Sequence, residues 1–130
     1  MSAERPVVLF ICTHNAGRSQ LGAHLLDHLA GDRYDATSAG VAPGESISPE
    51  VAEALGELGI DTSAASPRPV TAELLAEADV VVTMKPGLDL PGEVAGELVT
   101  WQFPNPESWG LEGVRELRDH IRAAVEDRFV

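Results

Sequence analysis

Val7-Val8-Leu9-Phe10-Ile11 runs without a break into Cys12-Thr13-His14-Asn15-Ala16-Gly17-Arg18-Ser19, and this stretch decides the fold. Its first part is an apolar run of strand-forming residues. Its second is a short polar loop that closes on an arginine and opens a helix predicted over Gln20 to Leu29. In such an arrangement successive loop N–H groups converge on one point, the helix adds the positive end of its dipole, and Arg18 presents a planar fork of donors suited to a tetrahedral oxyanion. All three favour negative charge. Thiols beside an arginine or a helix N-terminus ionise well below the roughly 8.5 of a free cysteine, so the loop is expected to hold a thiolate against the oxyanion it binds.

The spacing Cys-x5-Arg is by itself a weak pattern. Here Asn15 and Gly17 supply the permissive backbone that a tight loop needs, and Ser19 can either cap the helix or donate to the thiolate. The bland alternative is a buried structural cysteine at a strand end, but apolar burial calls for none of Asn15, Arg18 and Ser19 beside it. Cys12 is therefore the candidate nucleophile. Thr13, His14, Asn15, Ala16, Gly17, Arg18 and Ser19 form the candidate oxyanion cradle.

These residues resemble the low-molecular-weight protein tyrosine phosphatases and the arsenate reductases that share their fold. Placement supports the resemblance: classical and dual-specificity phosphatases carry His directly before the Cys and have the loop late in the chain, whereas here Ile11 precedes Cys12 and the loop ends the first strand. His14-Asn15-Ala16-Gly17-Arg18-Ser19-Gln20 is similar to the form common in the arsenate reductase branch. The resemblance implies that the thiolate attacks arsenate to give a cysteinyl adduct, that a low-molecular-weight thiol captures the adduct, and that a redoxin then releases arsenite. Arsenate or phosphate is the implied oxyanion.

With 130 residues, 44% of them hydrophobic, the chain suits one compact domain spanning 1–130. No apolar run approaches the ~20 residues of a membrane span, and Met1 to Pro6 lacks a signal-peptide pattern, so a cytoplasmic protein without membrane contact is expected. A net charge of −12 repels a phosphate backbone and argues against nucleic acid. A small oxyanion remains compatible, since the field inside a loop of amides is local and distant carboxylates are screened over about 8–10 Å. One cysteine excludes an intrachain disulfide, a Cys-x-x-Cys redox pair and a thiolate metal cluster. Thioredoxin-coupled arsenate reductases relay oxidation through two further cysteines; this chain has none to offer, so an outside thiol must finish the reaction. No tightly bound cofactor and no metal is expected. Abundant Ala, Gly, Arg and Glu with a single lysine suggest a high-GC genome, which favours mycothiol over glutathione as co-substrate and a mycoredoxin-like partner.

Strands and helices alternate along the rest of the chain. Tyr34 to Ala39 reads as the second strand, Ser48-Pro49-Glu50 as the capped start of a helix with Val51, Ala54, Leu55 and Leu58 inward, and Thr71 to Ala78 as a third helix capped by Thr71. Asp79 to Met84 is short, β-branched and apolar, hence a central strand covered on both faces. Val99 to Phe103 is the predicted last strand and Leu111 to Phe129 the closing helix. The pattern gives a three-layer α/β fold, a four-stranded parallel sheet with helices on both faces, low-molecular-weight phosphatase-like. In such sheets ligands sit beyond the carboxyl ends of the strands, where Cys12 falls.

Supporting residues follow from the resemblance. Ser38, in Ser38-Ala39-Gly40, matches a family position beside the anion loop and would stiffen it, or it simply ends a strand. Arg68, between Pro67 and Pro69, faces the site rim or is an ordinary solvated arginine. His24 and His28, four apart on one helix, read as a solvated face rather than a metal pair. The family's acid loop corresponds to Pro104-Asn105-Pro106-Glu107, with Asn105 where relatives carry the Asp that protonates the leaving oxygen. An amide holds a hydrogen bond but gives up no proton, so phosphoester hydrolysis should suffer more than attack on arsenate. Glu107 and His14 are alternative proton donors, His14 being equally suited to a second-thiol contact or to solvent. Trp109 is a candidate wall of the substrate slot; core packing is expected of Trp101 and Phe103. The main reading is arsenate reductase; the alternatives are a phosphatase of tyrosine or small phosphoesters, and a catalytically weak oxyanion-binding regulatory protein.

Overall fold

The computed structural model describes residues 5–106 and 109–130; Glu107 lies outside them. The apolar runs form β1 (Val7–Cys12), β2 (Asp35–Gly40), β3 (Val80–Thr83) and β4 (Glu97–Thr100), and the amphipathic segments form α1 (Arg18–Ala30), α2 (Pro49–Gly56), α3 (Ala72–Glu77) and α4 (Leu111–Phe129). All strand pairs are parallel, in the order β2-β1-β3-β4. Successive side chains of β1 point to opposite faces, so Val8, Phe10 and Cys12 join a core with α1, α2 and α4, while Leu9 and Ile11 join a smaller one with Leu75 of α3, Val70, Ala78 and Val81. Layering, strand count and parallel sense match the reading of the sequence.

The chain leaves β1 for β2 on one side and returns to β3 on the other. The order therefore reverses beside β1, and a crevice opens beyond the carboxyl ends of β1 and β3. The loop after Cys12 fills one wall of it.

Two boundaries moved. The last strand is Glu97–Thr100 rather than Val99 to Phe103, because its partner β3 ends at Thr83; Trp101 N and Phe103 N still donate to Thr83 O and Met84 O at 2.8 and 3.0 Å. Aromatic residues of high strand propensity drew the reading too far along the chain. Trp101 and Phe103 pack instead against the larger core, Trp101 6.1 Å from the Phe10 ring, which is the role expected of them. Helix α1 begins at Arg18, two residues earlier than expected, with Gly17 as N-cap and no side chain capping it. Ser19 is thus inside the first turn, which removes the cap from its two possible roles. Thr71 caps α3 as expected, accepting from Leu74 N at 3.1 Å.

Helices α2 and α4 are tied at the surface by Glu57. Arg115 Nε donates to Glu57 Oε2 at 2.8 Å, and Arg118 Nη1 reaches both Glu57 Oε1 at 2.7 Å and Ala54 O at 2.8 Å. The Arg115 hydrogen bonds, opposed by partial burial and assisted by Arg118, hold the Glu57 carboxyl below its ordinary 4.5. A carboxylate whose folded value is lowered stabilises the fold above the ordinary value and ceases to do so as pH falls through the lowered one. Glu57→Gln is expected to lower the thermal midpoint slightly at neutral pH, with the gap to wild type closing well below pH 4.5; a gap independent of pH contradicts this role.

Candidate active site

The loop between β1 and α1 is shaped by what its carbonyls are bonded to. Cys12 O accepts from Val41 N at 3.2 Å, Thr13 O from Ala42 N at 2.8 Å, His14 O from Gly44 N at 2.9 Å, Ala16 O from Ser48 N at 2.9 Å and Gly17 O from Leu21 N at 2.9 Å. Asn15 O accepts from Gln20 Nε2 at 3.0 Å. With every acceptor turned toward the scaffold, the loop N–H groups are left for the interior of the loop, where negative charge is stabilised. The first N–H groups of α1, uncapped by any side chain, add to the same field.

Asn15 makes the tight turn possible. Its backbone takes φ 53, the left-handed region that Asn tolerates better than most residues, and it is fully buried. Arg68 N donates to Asn15 Oδ1 at 3.0 Å, which fixes the amide the other way round for its second contact, Nδ2 to Ser19 Oγ at 2.7 Å. Ser19 Oγ, already accepting, sits 2.9 Å from Cys12 Sγ and can send its own proton to the sulfur; Asn15 N donates to the same sulfur at 3.3 Å. The chain of donors from Arg68 N through Asn15 and Ser19 ends on Cys12 and stabilises a thiolate. Of the two roles open to Ser19 in the sequence, the geometry selects donation to sulfur. Gly17 has a negative φ of −132, so it does not serve as the left-handed residue; Pro106 packs where a Cβ would stand, 3.3 Å away.

Arg18 is 5% exposed, and its Nη1 donates to Phe103 O at 2.9 Å. Among the described residues no carboxylate pairs with it. A buried cation without a counter-charge is costly, and an incoming oxyanion supplies the missing charge. Cys12, His14, Ala16, Gly17, Arg18, Ser48, Asn105 and Pro106 enclose a hollow of about 30 Å³, room for a small anion rather than an organic group. It opens beside a wider groove of about 810 Å³ that shares Arg18 and Asn105 and is lined also by Thr13, Lys85 and Phe103. No carboxylate lines either one among the described residues, so the surface charge of this acidic chain stays outside them.

Ser38 and Arg68 are positioned differently from the expectation. The Arg68 guanidinium turns away from Cys12 to the Ser38 carbonyl at 2.9 Å and to Thr37 Oγ1. Both residues line a separate hollow of about 360 Å³ with Gln20, His24 and Asp27. It is the backbone N–H of Arg68 that supports the loop, and it is Gly40 rather than Ser38 that lies against it: a Cβ there would stand 2.7 Å from Thr13 O and 2.9 Å from Asn15 N. His24 bonds its own helix at Gln20 O, 2.8 Å away, His28 is exposed, and no His, Cys, Asp and Glu cluster able to hold a metal occurs among the described residues. Trp109 packs on the core beside Gly113 and is absent from the lining of the hollow and of the groove. Sequence reasoning left three contributors without a site role. Gln20 looked like the first residue of a helix, Ser48 like a helix cap, and Lys85 like an isolated loop charge. Ser48 is indeed the N-cap of α2, but its hydroxyl donates to Glu50 Oε1 at 3.2 Å instead of capping.

Fold and site together define a class, the cysteine-dependent enzymes built on a parallel α/β sheet. Comparison with known proteins narrows it: the chain belongs to the low molecular weight phosphotyrosine protein phosphatase family, whose family model matches residues 7–89. A putative arsenate reductase of Halobacterium salinarum is 33% identical over 126 residues, covering 92% of this chain and 88% of that one. The structure of a thioredoxin-dependent arsenate reductase from Corynebacterium glutamicum superposes with a TM-score of 0.83 at 35% identity, covering 98% of this chain; the present chain spans 61% of that one. A tyrosine phosphatase from Escherichia coli K30, solved in complex with sulphate, shares the fold with a TM-score of 0.83 at 19% identity.

Asn15→Asp keeps the acceptor for Arg68 N but removes the donor to Ser19 and turns that hydroxyl away from sulfur. Loss of a hydrogen bond to a charged group, worth about 1.5–3 kcal/mol, is expected to slow alkylation of Cys12 by iodoacetamide about tenfold or more at neutral pH; an unchanged rate removes Ser19 from the account. Gly40→Ala is expected to cost about 1–3 kcal/mol in urea unfolding, the usual range for overpacking.

Proposed function

We propose that this chain is a cytoplasmic, single-domain arsenate reductase with Cys12 as nucleophile and Thr13 to Arg18 as the oxyanion cradle. The observation that carries the reading is the small hollow joining Cys12 Sγ to the uncompensated Arg18, walled by Asn105 where a proton-donating side chain is needed for phosphoesters. The relatives named as arsenate reductases support it.

The thiolate attacks arsenic in arsenate, a sulfur–arsenic bond forms, and one arsenic oxygen departs as water after taking a proton. A low-molecular-weight thiol then displaces Cys12, giving a thiol–arsenate adduct and freeing the enzyme without a change in arsenic oxidation state. A redoxin thiolate next attacks the sulfur of that adduct; a mixed disulfide forms, and arsenite leaves with the electron pair. The outside thiol is required because the chain holds one cysteine and therefore no internal disulfide partner. Mycothiol with a mycoredoxin-like partner is the pairing favoured by the Lys-poor, Ala- and Gly-rich composition; the thioredoxin dependence named for the Corynebacterium protein belongs to a longer chain.

Asn105 favours this chemistry over its nearest rival, phosphoester hydrolysis with the same Cys12 and Arg18. A phenolate or alkoxide leaves badly without a proton, and general acid catalysis is typically worth about 10²–10⁴ in rate. The test is arsenite formation from arsenate, mycothiol and mycoredoxin, run beside hydrolysis of an aryl phosphate, with Cys12→Ser as the blank. Arsenite that depends on Cys12 is expected. Phenol release without arsenite favours the phosphatase, and protection of Cys12 from iodoacetamide by arsenate with neither product favours an anion-binding regulator. Asn105→Asp is expected to raise aryl phosphate turnover by about tenfold or more; no increase removes Asn105 from the argument.

A further inference from the structure

We infer that His14 carries the proton of the reaction, as acid when arsenate is attacked and as base when the thiol enters; the inference rests on the arsenate reading. Departure of an arsenic oxygen as water consumes one proton, and the hollow around Cys12 must supply it. Arg18 keeps its protons at any working pH. Asn105 offers an amide, and Ala16, Gly17 and Pro106 have no side-chain proton to give. The Ser48 hydroxyl is directed to Glu50 Oε1 at 3.2 Å, and the Ser19 hydroxyl is engaged with Cys12 Sγ at 2.9 Å. Lys85 lines the outer groove rather than the hollow. Apart from the nucleophile itself, His14 is the lining side chain that both holds and releases a proton near neutrality.

Its position is fixed by the same scaffold that shapes the loop. Gly44 N holds His14 O at 2.9 Å, and Asn15 N, the next N–H along, bonds the sulfur at 3.3 Å. The imidazole is thereby anchored two residues from the nucleophile, on the wall of the hollow that the departing oxygen must pass.

The proton balance closes over one cycle. As the sulfur–arsenic bond forms, the imidazolium gives its proton to the leaving oxygen, which departs as water. The neutral imidazole then takes the proton of the incoming thiol as its sulfur bonds arsenic and the Cys12–arsenic bond breaks. Arsenate and thiol become thiol–arsenate adduct and water, and both Cys12 and His14 return to their starting states. The work done by an acidic residue on the segment after β4 is thus moved to the loop that bears the nucleophile.

The test measures arsenite formation by wild type, His14→Gln and Glu107→Gln with arsenate, mycothiol and mycoredoxin, and in parallel the hydrolysis of phenyl phosphate and of p-nitrophenyl phosphate. His14→Gln is expected to lose about 10²-fold or more in arsenite turnover while Cys12 alkylates at nearly the wild-type rate, and Glu107→Gln is expected to keep wild-type turnover. On the two esters the loss should be larger for phenyl phosphate, whose poor leaving group needs the proton, than for the nitrophenyl ester. Wild-type turnover in His14→Gln, an equal loss on both esters, or a loss in Glu107→Gln matching that of His14→Gln overturns the inference. Should wild type form no arsenite yet hydrolyse the esters, the arsenate reading fails and the ester pair alone decides on His14; no turnover of any of them overturns both.

Discussion

The site depends on a single constraint, that the carbonyls from Cys12 to Gly17 are all claimed by groups outside the loop. A peptide plane cannot turn its C=O outward without turning its N–H inward, so the scaffold that takes the acceptors leaves the donors facing the sulfur. The claiming groups come from widely separated parts of the chain: the stretch 41–44 after β2, Ser48 at the head of α2, and Gln20 and Leu21 in α1. Closing the loop therefore requires the fold to be complete. Its binding capacity is written in backbone geometry, and this is why the side chains at Ala16 and Gly17 can be so small.

Arg18 and the acidic surface make a second pair of opposites. The chain carries 21 acidic residues against nine Lys and Arg, and much of that cationic charge is spent on outer ion pairs: Arg115 and Arg118 on Glu57, Arg122 on Glu126, Arg128 on Glu97. Arg18 is held back from this pairing, buried against the Phe103 carbonyl. An anion reaching it enters a region free of carboxylates, where attraction is screened less than at the surface. Bulky acidic partners meet the surface first, while small oxyanions meet the cradle.

The fold was readable from the sequence wherever periodicity was unambiguous. β1, β3 and α4 are long or apolar enough that their identity and near-boundaries follow from pattern alone, and the parallel order follows from the alternation of strand and helix. What pattern missed was set by partners distant in sequence. The end of β4 depends on where β3 stops, which Trp101 and Phe103 do not reveal. Cys12, Arg18 and Asn15 were legible because loop chemistry is local. Arg68 was not, since its guanidinium and its N–H go to different elements, and only the N–H touches the loop. Gly40 was hidden in the same way: nothing local distinguishes a glycine that ends a strand from one that a neighbouring turn presses against.

A sulfur poised as an anion also meets oxidants as an anion. Peroxide converts such thiolates to sulfenic acid, which is rescued when another thiol condenses with it and is lost when oxidation proceeds to the sulfinic and sulfonic states. Cys12 is the chain's sole cysteine, so the polypeptide contains no resolving partner of its own. Under oxidative stress the lifetime of this enzyme is set by the supply of small thiols around it, tying its survival to the redox state of its surroundings.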